Sequence, residues 1–256
     1  MTLCLGLHKL AVIIALFFLH AISWGITIKP GGQTQQIHYS YGGNFKAYIR
    51  VPNNKEGLLP VIIYNYDDYL DWVGESMAKE RGYDIKTFIK VFSHWGAITI
   101  VPLERYRKLN AISGALNLIK QIPQADLTNI HVIGISEGAL MSLLAPLTRY
   151  NVKTVSILAP QTLHETGALS FPEFMRGIDK LSARVFILVG TGDERWRLQS
   201  SKILHRALQE RGKEVTVYQY PNKRHWFWSP ENYYMNDIHR FIFGVDQPLY
   251  MEQPEF

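Results

Sequence analysis

Apolar and polar residues are grouped in blocks along the chain. Five short stretches are apolar almost throughout; they are residues 59–66, 96–102, 129–135, 153–160 and 183–190. Continuous apolar runs of this length are typical of strands that are buried on both faces of a parallel sheet. Residues 214–221 alternate between apolar and polar side chains, which favours a place toward the edge of the same sheet.

Turn and helix signals complete this pattern. Gly42 and Gly43 separate two strand-like segments within residues 36–52 and predict a hairpin. Helical patterns lie between the later strands, at residues 71–92, 109–122, 137–150, 195–211 and 230–243. Strands that alternate with helices of this length predict an α/β fold with an eight-stranded, mostly parallel, doubly wound sheet and no large cap domain. Residues 161–180 interrupt the rhythm, and we expect a small lid or a short helix there.

The N-terminal segment differs in character from the rest. A basic start precedes a short apolar run over residues 10–19, and small residues follow it. This layout is typical of a secretory signal peptide that is cut after Gly25 or after Ser23. The alternative is an uncleaved membrane anchor, although the apolar run is shorter than the ~20 residues of a comfortable span. We therefore expect a signal peptide at residues 1–25, one mature domain at residues 26–256, and a secreted or periplasmic protein.

The amino-acid composition argues against thiol chemistry, nucleic-acid binding and metal binding. Cys4 is the only cysteine and lies within the predicted signal peptide, so a mature chain would have neither a disulfide nor a catalytic thiol. The net charge is +5 at pH 7, but the basic residues are scattered and form no aromatic-interleaved strip of the kind that binds nucleic acid. No histidine pair has metal-ligand spacing. We expect no nucleic-acid partner, no metal and no cofactor, with membrane contact only through an uncleaved N-terminal segment.

Ser136 lies in the sequence Gly-Ile-Ser-Glu-Gly, where a predicted strand meets a predicted helix. Gly134 and Gly138 leave room for a sharp turn that would present the serine as a nucleophile. The amino end of the following helix would face negative charge that develops near Ser136. The same five residues also fit an ordinary strand-to-helix turn, so the rest of the chain decides between these interpretations.

Two more residues follow predicted strands and suit a serine hydrolase. Asp193 follows the strand at residues 183–190, where it could orient a histidine or cap the next helix. His225 follows the strand at residues 214–221, where it could take the serine proton or simply line an aromatic loop. The chain order Ser, Asp, His, with each residue after a strand, is that of α/β hydrolases. Together they predict a catalytic triad of Ser136, Asp193 and His225.

Three segments of the chain resemble the α/β hydrolases of the dienelactone-hydrolase and prolyl-oligopeptidase-like group: residues 125–139, 185–196 and 207–227. The resemblance extends from about residue 39 to residue 243 and implies the α/β-hydrolase fold. The chain departs from the group in three places. It has Ser136 instead of the cysteine nucleophile of dienelactone hydrolases proper, His225-Trp226-Phe227 instead of the common His-Gly-Phe, and Asn65-Tyr66 where many relatives have His-Gly after the third strand.

The tetrahedral intermediate of such a reaction carries an oxyanion that needs hydrogen-bond donors. One donor should be the backbone N–H of Glu137, the residue after the nucleophile. The other should be the backbone N–H of Tyr66 or Asp67, and the hydroxyl of Tyr66 or Tyr69 could add a further donor. The favoured function is an exported serine hydrolase that cleaves a small-molecule carboxylic ester through an acyl-enzyme intermediate.

Two other functions stay open: a serine peptidase of the prolyl-oligopeptidase-like type, and a non-catalytic homologue that binds a ligand in the same cleft.

The charge of the substrate is a separate question. Six cations lie on loops at the end of the sheet where the triad is predicted; they are Arg105, Arg107, Arg195, Arg197, Lys223 and Arg224. A ring of such charges would attract anionic substrates, or it would only keep the protein soluble.

Overall fold

An eight-stranded sheet forms the centre of the computed structural model, which describes residues 28–53, 56–105, 108–147, 151–161, 170–230 and 232–246. The strands are β1 (Thr34–Ser40), β2 (Asn44–Arg50), β3 (Leu59–Asn65), β4 (Ile98–Leu103), β5 (Ala125–Ile135), β6 (Val152–Leu158), β7 (Arg184–Gly190) and β8 (Val215–Tyr220). Their order in the sheet is β1-β2-β4-β3-β5-β6-β7-β8. The hairpin β1–β2 and the pair β2–β4 are antiparallel, and the pairs from β4 to β8 are parallel. The predicted sheet is confirmed.

Helices cover both faces of this sheet. They are α1 (Tyr69–Val73), α2 (Glu75–Glu80), α3 (Ile85–His94), α4 (Leu109–Leu118), α5 (Glu137–Leu144), α6 (Phe171–Gly177), α7 (Arg195–Glu210) and α8 (Tyr234–Phe243). One hydrophobic core contains residues of α4, α5, α6 and α7, and a second contains residues of α1, α2, α3 and α8. Each core packs against one face of the sheet, so the doubly wound arrangement is confirmed.

Burial explains the two kinds of strand pattern. In β3 and β7 six of seven residues are buried, as the continuous apolar runs predict. In β8, buried or half-buried residues alternate with exposed ones along most of the strand. This strand lies at the edge of the sheet, where one face is solvated, and the predicted edge position is confirmed.

The prediction of a single helix over residues 71–92 is wrong, because three short helices occupy this region. The breaks fall at two glycines. Gly74 separates α1 from α2 with a φ of 81°, and Gly82 follows α2 with a φ of 85°. A right-handed helix needs negative φ, and glycine adopts positive φ without the steric cost that other residues have. The helical periodicity of the sequence continues through both glycines, but the helical backbone is interrupted at each of them.

Some predictions fall partly or wholly outside the described residues. The predicted signal peptide at residues 1–25 lies outside them. So do residues 162–169 of the interrupting segment, although α6 confirms a short helix in its second half. Within the described ranges, no helix has the length and the apolar character that crossing a membrane requires.

Candidate active site

Ser136 is held in an unusual backbone conformation between β5 and α5. Its φ is 57° and its ψ is −121°, a combination that residues other than glycine rarely adopt. Two close approaches make this turn possible. A Cβ at Gly138 would collide with the backbone oxygen of Asn65, and a Cβ at Gly134 would collide with the backbone oxygen of Gly138. Both glycines are therefore required by packing, and the strained turn presents the Ser136 side chain at the carboxyl end of the sheet.

The hydroxyl group of Ser136 has two polar neighbours. Ser136 is 1% exposed, and its Oγ donates a hydrogen bond to Oε1 of Gln161 at 3.2 Å. The same oxygen accepts a hydrogen bond of 2.9 Å from Nη1 of Arg197. A buried guanidinium group therefore contacts the predicted nucleophile directly.

His225 lies between two carboxylates. It begins a short 3-10 turn after β8, and its Nδ1 is 3.4 Å from Oδ2 of Asp193. Its Nε2 is 2.9 Å from Oδ2 of Asp67. The structure thus brings His225 to Asp193 through the ring nitrogen that a triad requires. The nitrogen that would serve Ser136 faces Asp67 instead.

The two contacts of His225 perturb its proton affinity and that of Asp67. Burial acts to lower the pKa of His225, but the contacts with the carboxylates of Asp193 and Asp67 outweigh burial and raise this pKa above its ordinary value. Burial acts to raise the pKa of Asp67, but the hydrogen bond and charge of His225 outweigh burial and lower this pKa to about 2. The Asp67 carboxylate therefore favours the protonated form of His225, and His225 favours the ionised form of Asp67.

The pKa of Asp68 is shifted in the opposite direction to that of Asp67. Burial, a hydrogen bond with Asp67 and the negative charges of Asp67 and Glu137 raise the pKa of Asp68 to about 7. Two adjacent carboxyl groups with pKa values that are pushed apart, to about 2 for Asp67 and about 7 for Asp68, are typical of like charges at close range.

Asp193 and its neighbours define the other side of the site. Oδ1 of Asp193 accepts a hydrogen bond of 2.8 Å from the backbone N–H of Glu194. Helix α7 begins at Arg195 with Glu194 as its N-cap, and Glu194 makes no side-chain cap hydrogen bond. Asp193 therefore precedes the cap position, and its Oδ2 is directed at His225.

Two of the donor groups predicted for the oxyanion hole have other partners. The backbone N–H of Asp67 donates to the hydroxyl group of Tyr83 at 3.1 Å. The hydroxyl group of Tyr66 donates to Asp71 at 2.6 Å and accepts from the backbone N–H of Glu104 at 3.0 Å. The Asp67 N–H and the Tyr66 hydroxyl therefore have partners other than an oxyanion.

Glu137 lies at the start of α5, and its side chain is buried with that of Arg105. The two form an ion pair in which the side chains are 2% and 0% exposed. The guanidinium group of Arg105 also lies 4.6 Å from the ring centre of Tyr66. This buried pair stands directly behind the turn that carries Ser136, so it supports the position of the Glu137 backbone.

The expectation of six exposed loop cations is wrong for two of them. Arg105 and Arg197 are buried, and each has carboxylate partners. Lys223 is half-buried, with Nζ 5.1 Å from the ring centre of Phe227. Arg195 and Arg224 are exposed, and Arg107 lies outside the described residues. The arrangement is therefore not a ring of solvated charges.

Two cavities adjoin His225. The larger one has a volume of about 340 Å³ and is lined by Gly192, Asp193, Glu194, Arg197, Arg224 and His225. A smaller one of about 50 Å³ lies against Asp67, Tyr83 and Trp228. Over the described part of the chain, no group of three or more histidine, cysteine, aspartate and glutamate side chains could hold a metal ion. The larger cavity gives a small molecule access to the imidazole ring and to Arg197.

Sequence reasoning did not assign three contributors to this site: the carboxylate of Asp67, the side chain of Gln161 and the guanidinium group of Arg197. Asp67 was expected to contribute its backbone N–H, and Arg197 to contribute charge at the surface. Gln161 follows β6 and carries no sequence signal of its own. The predicted triad residues Ser136, Asp193 and His225 follow β5, β7 and β8. Asp193 contacts His225, whereas the contacts described above for Ser136 are with Gln161 and Arg197.

Several known proteins are similar to this chain. The model of the prolyl oligopeptidase family matches residues 164–244. An esterase from the fungus Rhizomucor miehei has a TM-score of 0.66 and 14% identity, over 86% of this chain and 85% of its own. A Klebsiella pneumoniae protein described as a dienelactone hydrolase has a TM-score of 0.60 and 16% identity, over 76% and 88%. An acylaminoacyl peptidase from Pyrococcus horikoshii has a TM-score of 0.66 and 14% identity, over 87% of this chain but 43% of the peptidase. No curated protein sequence matches the chain.

These similarities establish the fold. The chain has the α/β-hydrolase fold, and the predicted resemblance to the dienelactone-hydrolase and prolyl-oligopeptidase-like group is confirmed. The matched family and the neighbouring folds support an enzyme of the hydrolase type. The reaction and the residues that carry it out are questions for the geometry of the site, because a fold alone does not define a function.

Proposed function

We propose that this protein is a serine hydrolase of carboxylic esters, with Ser136 as nucleophile, His225 as general base and Asp193 as the residue that orients His225. The observation that supports this most is the strained turn at Ser136, with φ of 57° and ψ of −121°. Backbone strain of this kind persists only where the surrounding structure enforces it, and it is concentrated at functional sites. His225 and Asp193 at the ends of neighbouring strands supply the other two groups that a serine nucleophile requires.

The reaction begins with a movement of His225. Its Nε2 faces Asp67 in the resting arrangement, so the ring must release Asp67 and turn its Nε2 toward Ser136. Ser136 Oγ then attacks the ester carbonyl carbon while its proton passes to Nε2. The leaving alkoxide takes that proton, and an acyl-enzyme remains. Water, activated by His225, attacks the acyl group and releases the acid.

The backbone N–H of Glu137 is the donor that the fold supplies to the oxyanion, because it follows the nucleophile at the amino end of α5. Arg105 supports this position through its buried ion pair with the Glu137 side chain. Removal of one oxyanion donor in other serine hydrolases lowers kcat on the order of 10²- to 10³-fold.

A peptidase is the second candidate, and one observation favours it: the matched family model is that of prolyl oligopeptidases. The match covers only residues 164–244, and the chain spans 43% of the acylaminoacyl peptidase to which its fold is similar. The esterase and dienelactone hydrolase neighbours are covered over 85% and 88% of their length. We therefore place ester hydrolysis first.

Labelling with a fluorophosphonate probe tests the proposal. We expect wild-type protein to be labelled and to hydrolyse p-nitrophenyl esters, and Ser136→Ala to lose both properties while it keeps its melting temperature. The control is Ser93→Ala, because Ser93 is a buried serine in α3 and not in the strained turn at Ser136. An unlabelled, inactive wild type would favour the non-catalytic ligand-binding alternative. Faster turnover of peptide amides than of esters would favour the peptidase.

We also propose that the protein is exported and that residues 1–25 are removed. The basis is the order of basic, apolar and small residues in this segment. The mass of the protein recovered after export from its producing cell should match a chain that begins at residue 26 or 24. A full-length mass in the membrane fraction would favour the uncleaved anchor.

A further inference from the structure

Arg197 is held in place by contacts on several sides. Its Nη1 donates to Ser136 Oγ at 2.9 Å and to the backbone oxygen of Ala159 at 3.3 Å. Its Nε lies 3.4 Å from a carboxylate oxygen of Glu194, and its Cζ lies 4.1 Å from the ring centre of Trp196. The residue is 9% exposed. A charged donor with this much support is fixed in one direction, toward the nucleophile.

The position of Arg197 is unfavourable for the helix that carries it. Arg197 lies in the first turn of α7, where the helix dipole presents positive charge and disfavours a cation. Asp193 and Glu194, four and three residues earlier, offset part of this cost, and a residue that breaks a local rule is expected at functional sites. Arg197 contacts Ser136, which is 61 residues away in sequence, and this contact suggests that the position of Arg197 serves the active site.

Two charges next to Arg197 argue against a role in binding an anionic substrate. The Nε of Arg197 is 3.4 Å from Glu194 and 3.8 Å from Asp193. These carboxylates already compensate the guanidinium charge in the resting state, and they would repel a permanent carboxylate on a substrate. A charge that exists only in the transition state has a different requirement, namely a donor that is already oriented when the charge appears.

We infer that Arg197 is a catalytic residue that stabilises the oxyanion of the tetrahedral intermediate, an inference that rests on the proposed ester hydrolysis. As Ser136 Oγ forms its bond to the carbonyl carbon, the π electron pair of the carbonyl moves to oxygen, and the Oγ proton passes to His225. The new oxyanion is bonded to the carbon that Oγ has just joined, so a small shift of Nη1 brings it from Oγ to the oxyanion. The electron pair returns when the leaving group departs.

The engaged backbone donor explains why this site uses a side chain. The N–H of Asp67, one of the two candidates for the second backbone donor beside that of Tyr66, donates to Tyr83. The hydroxyl group of Tyr66 serves Asp71 and Glu104. Arg197 supplies a charged donor that contacts Ser136 Oγ and lines the larger cavity together with His225. Charge-assisted hydrogen bonds are about twice as strong as neutral ones.

The experiment compares Arg197→Gln with the wild type on two esters of similar size, neutral p-nitrophenyl butyrate and anionic p-nitrophenyl hemisuccinate. We expect kcat to fall on the order of 10²- to 10³-fold on both esters, with little change in KM. Arg195→Gln is the matched control, because Arg195 begins the same helix and its side chain is exposed; it should behave as wild type. A loss confined to the hemisuccinate would overturn the inference and assign Arg197 to substrate charge. Activity of Arg197→Gln equal to that of Arg195→Gln would also overturn it.

Arg197→Ala gives an independent measurement if the glutamine variant does not fold. Added guanidinium at millimolar concentration should restore part of kcat in Arg197→Ala, whereas urea of equal concentration should not. No rescue in a folded Arg197→Ala variant would overturn the inference. Hydrolysis by the wild type and its loss in Ser136→Ala are measured first. Failure of those two results would defeat the proposed function, whereas failure of the Arg197 variants alone would defeat only this inference.

Discussion

Asp67 competes with Ser136 for the same nitrogen of His225, and Asp67→Asn tests this competition. The carboxylate holds Nε2 at 2.9 Å and, with Asp193, raises the pKa of the imidazole. A protonated His225 cannot accept the serine proton, so the resting arrangement is inactive on the acid side of the pH profile. Loss of the Asp67 charge should lower the pKa of His225 and shift the acid limb of kcat/KM to lower pH.

The size of this effect follows from Asp67 itself. Its pKa is about 2 against an ordinary 3.8, and each pKa unit is worth about 1.4 kcal/mol, so its ionised form is stabilised by about 2 kcal/mol. The contact with His225 is the largest favourable contribution. A free energy of about 2 kcal/mol corresponds to a factor of roughly 30. We therefore expect kcat/KM of Asp67→Asn at pH 6 to exceed that of the wild type by up to about 30-fold.

The assay is hydrolysis of p-nitrophenyl butyrate between pH 5 and pH 9, with Asp126→Asn as the control. Asp126 is the second residue of the 11-residue strand β5, whose last residue precedes Ser136, so it lies roughly 30 Å from the site by the rise of a strand. The gain of Asp67→Asn should disappear above the pKa of His225, where the ring is neutral in both proteins. An acid limb that stays in place, or moves to higher pH, would refute competition by Asp67.

Three further variants test the surroundings of the triad. Asp193→Asn should lower kcat by up to about 10⁴-fold because His225 loses its orienting partner; if kcat stays unchanged, Glu194 becomes the next candidate. Glu137→Gln should destabilise the fold by about 3–5 kcal/mol in urea unfolding, since Arg105 is left buried without its partner; a change under 1 kcal/mol would contradict the buried pair. Asp68→Asn should raise the melting temperature at pH 8 more than at pH 4. The folded chain holds a proton on Asp68 up to about pH 7, so the wild type loses stability as the pH rises from about 4 to 7; an equal shift at both pH values would contradict this.

The sheet could be predicted from the sequence because the burial of a strand determines a simple pattern of apolar and polar residues along it. The strand at residues 183–190 is apolar at nearly every position because it is buried on both faces, and the edge strand at residues 214–221 alternates because one face is solvated. The bounds of the helices could be predicted less accurately than those of the strands. The periodicity of residues 71–92 records which side faces the core, and it continues through Gly74 and Gly82 because the three short helices bury the same side.

The parts of the site that could not be predicted depend on where side chains point. The motif around Ser136 is local, so five residues are enough to indicate the turn. Asp67 and Arg197 have no such motif. Their side chains meet His225 and Ser136 only because strands β3, β5, β7 and β8 end at the same edge of the sheet. Sequence position places them near the site, whereas tertiary packing decides whether they contribute a carboxylate, a guanidinium group or only a backbone N–H.

The contact between His225 and Asp67 joins residues that are 158 positions apart in the chain. Almost the whole domain must therefore be synthesised before the imidazole can meet its partners, because β8 and the loop after it are among the last elements to emerge. Closing so long a segment is entropically costly and occurs late in folding. During refolding from denaturant, fluorophosphonate labelling should recover after the secondary structure has formed. Under the proposed function, the chain would thus acquire its activity on esters only once it is complete.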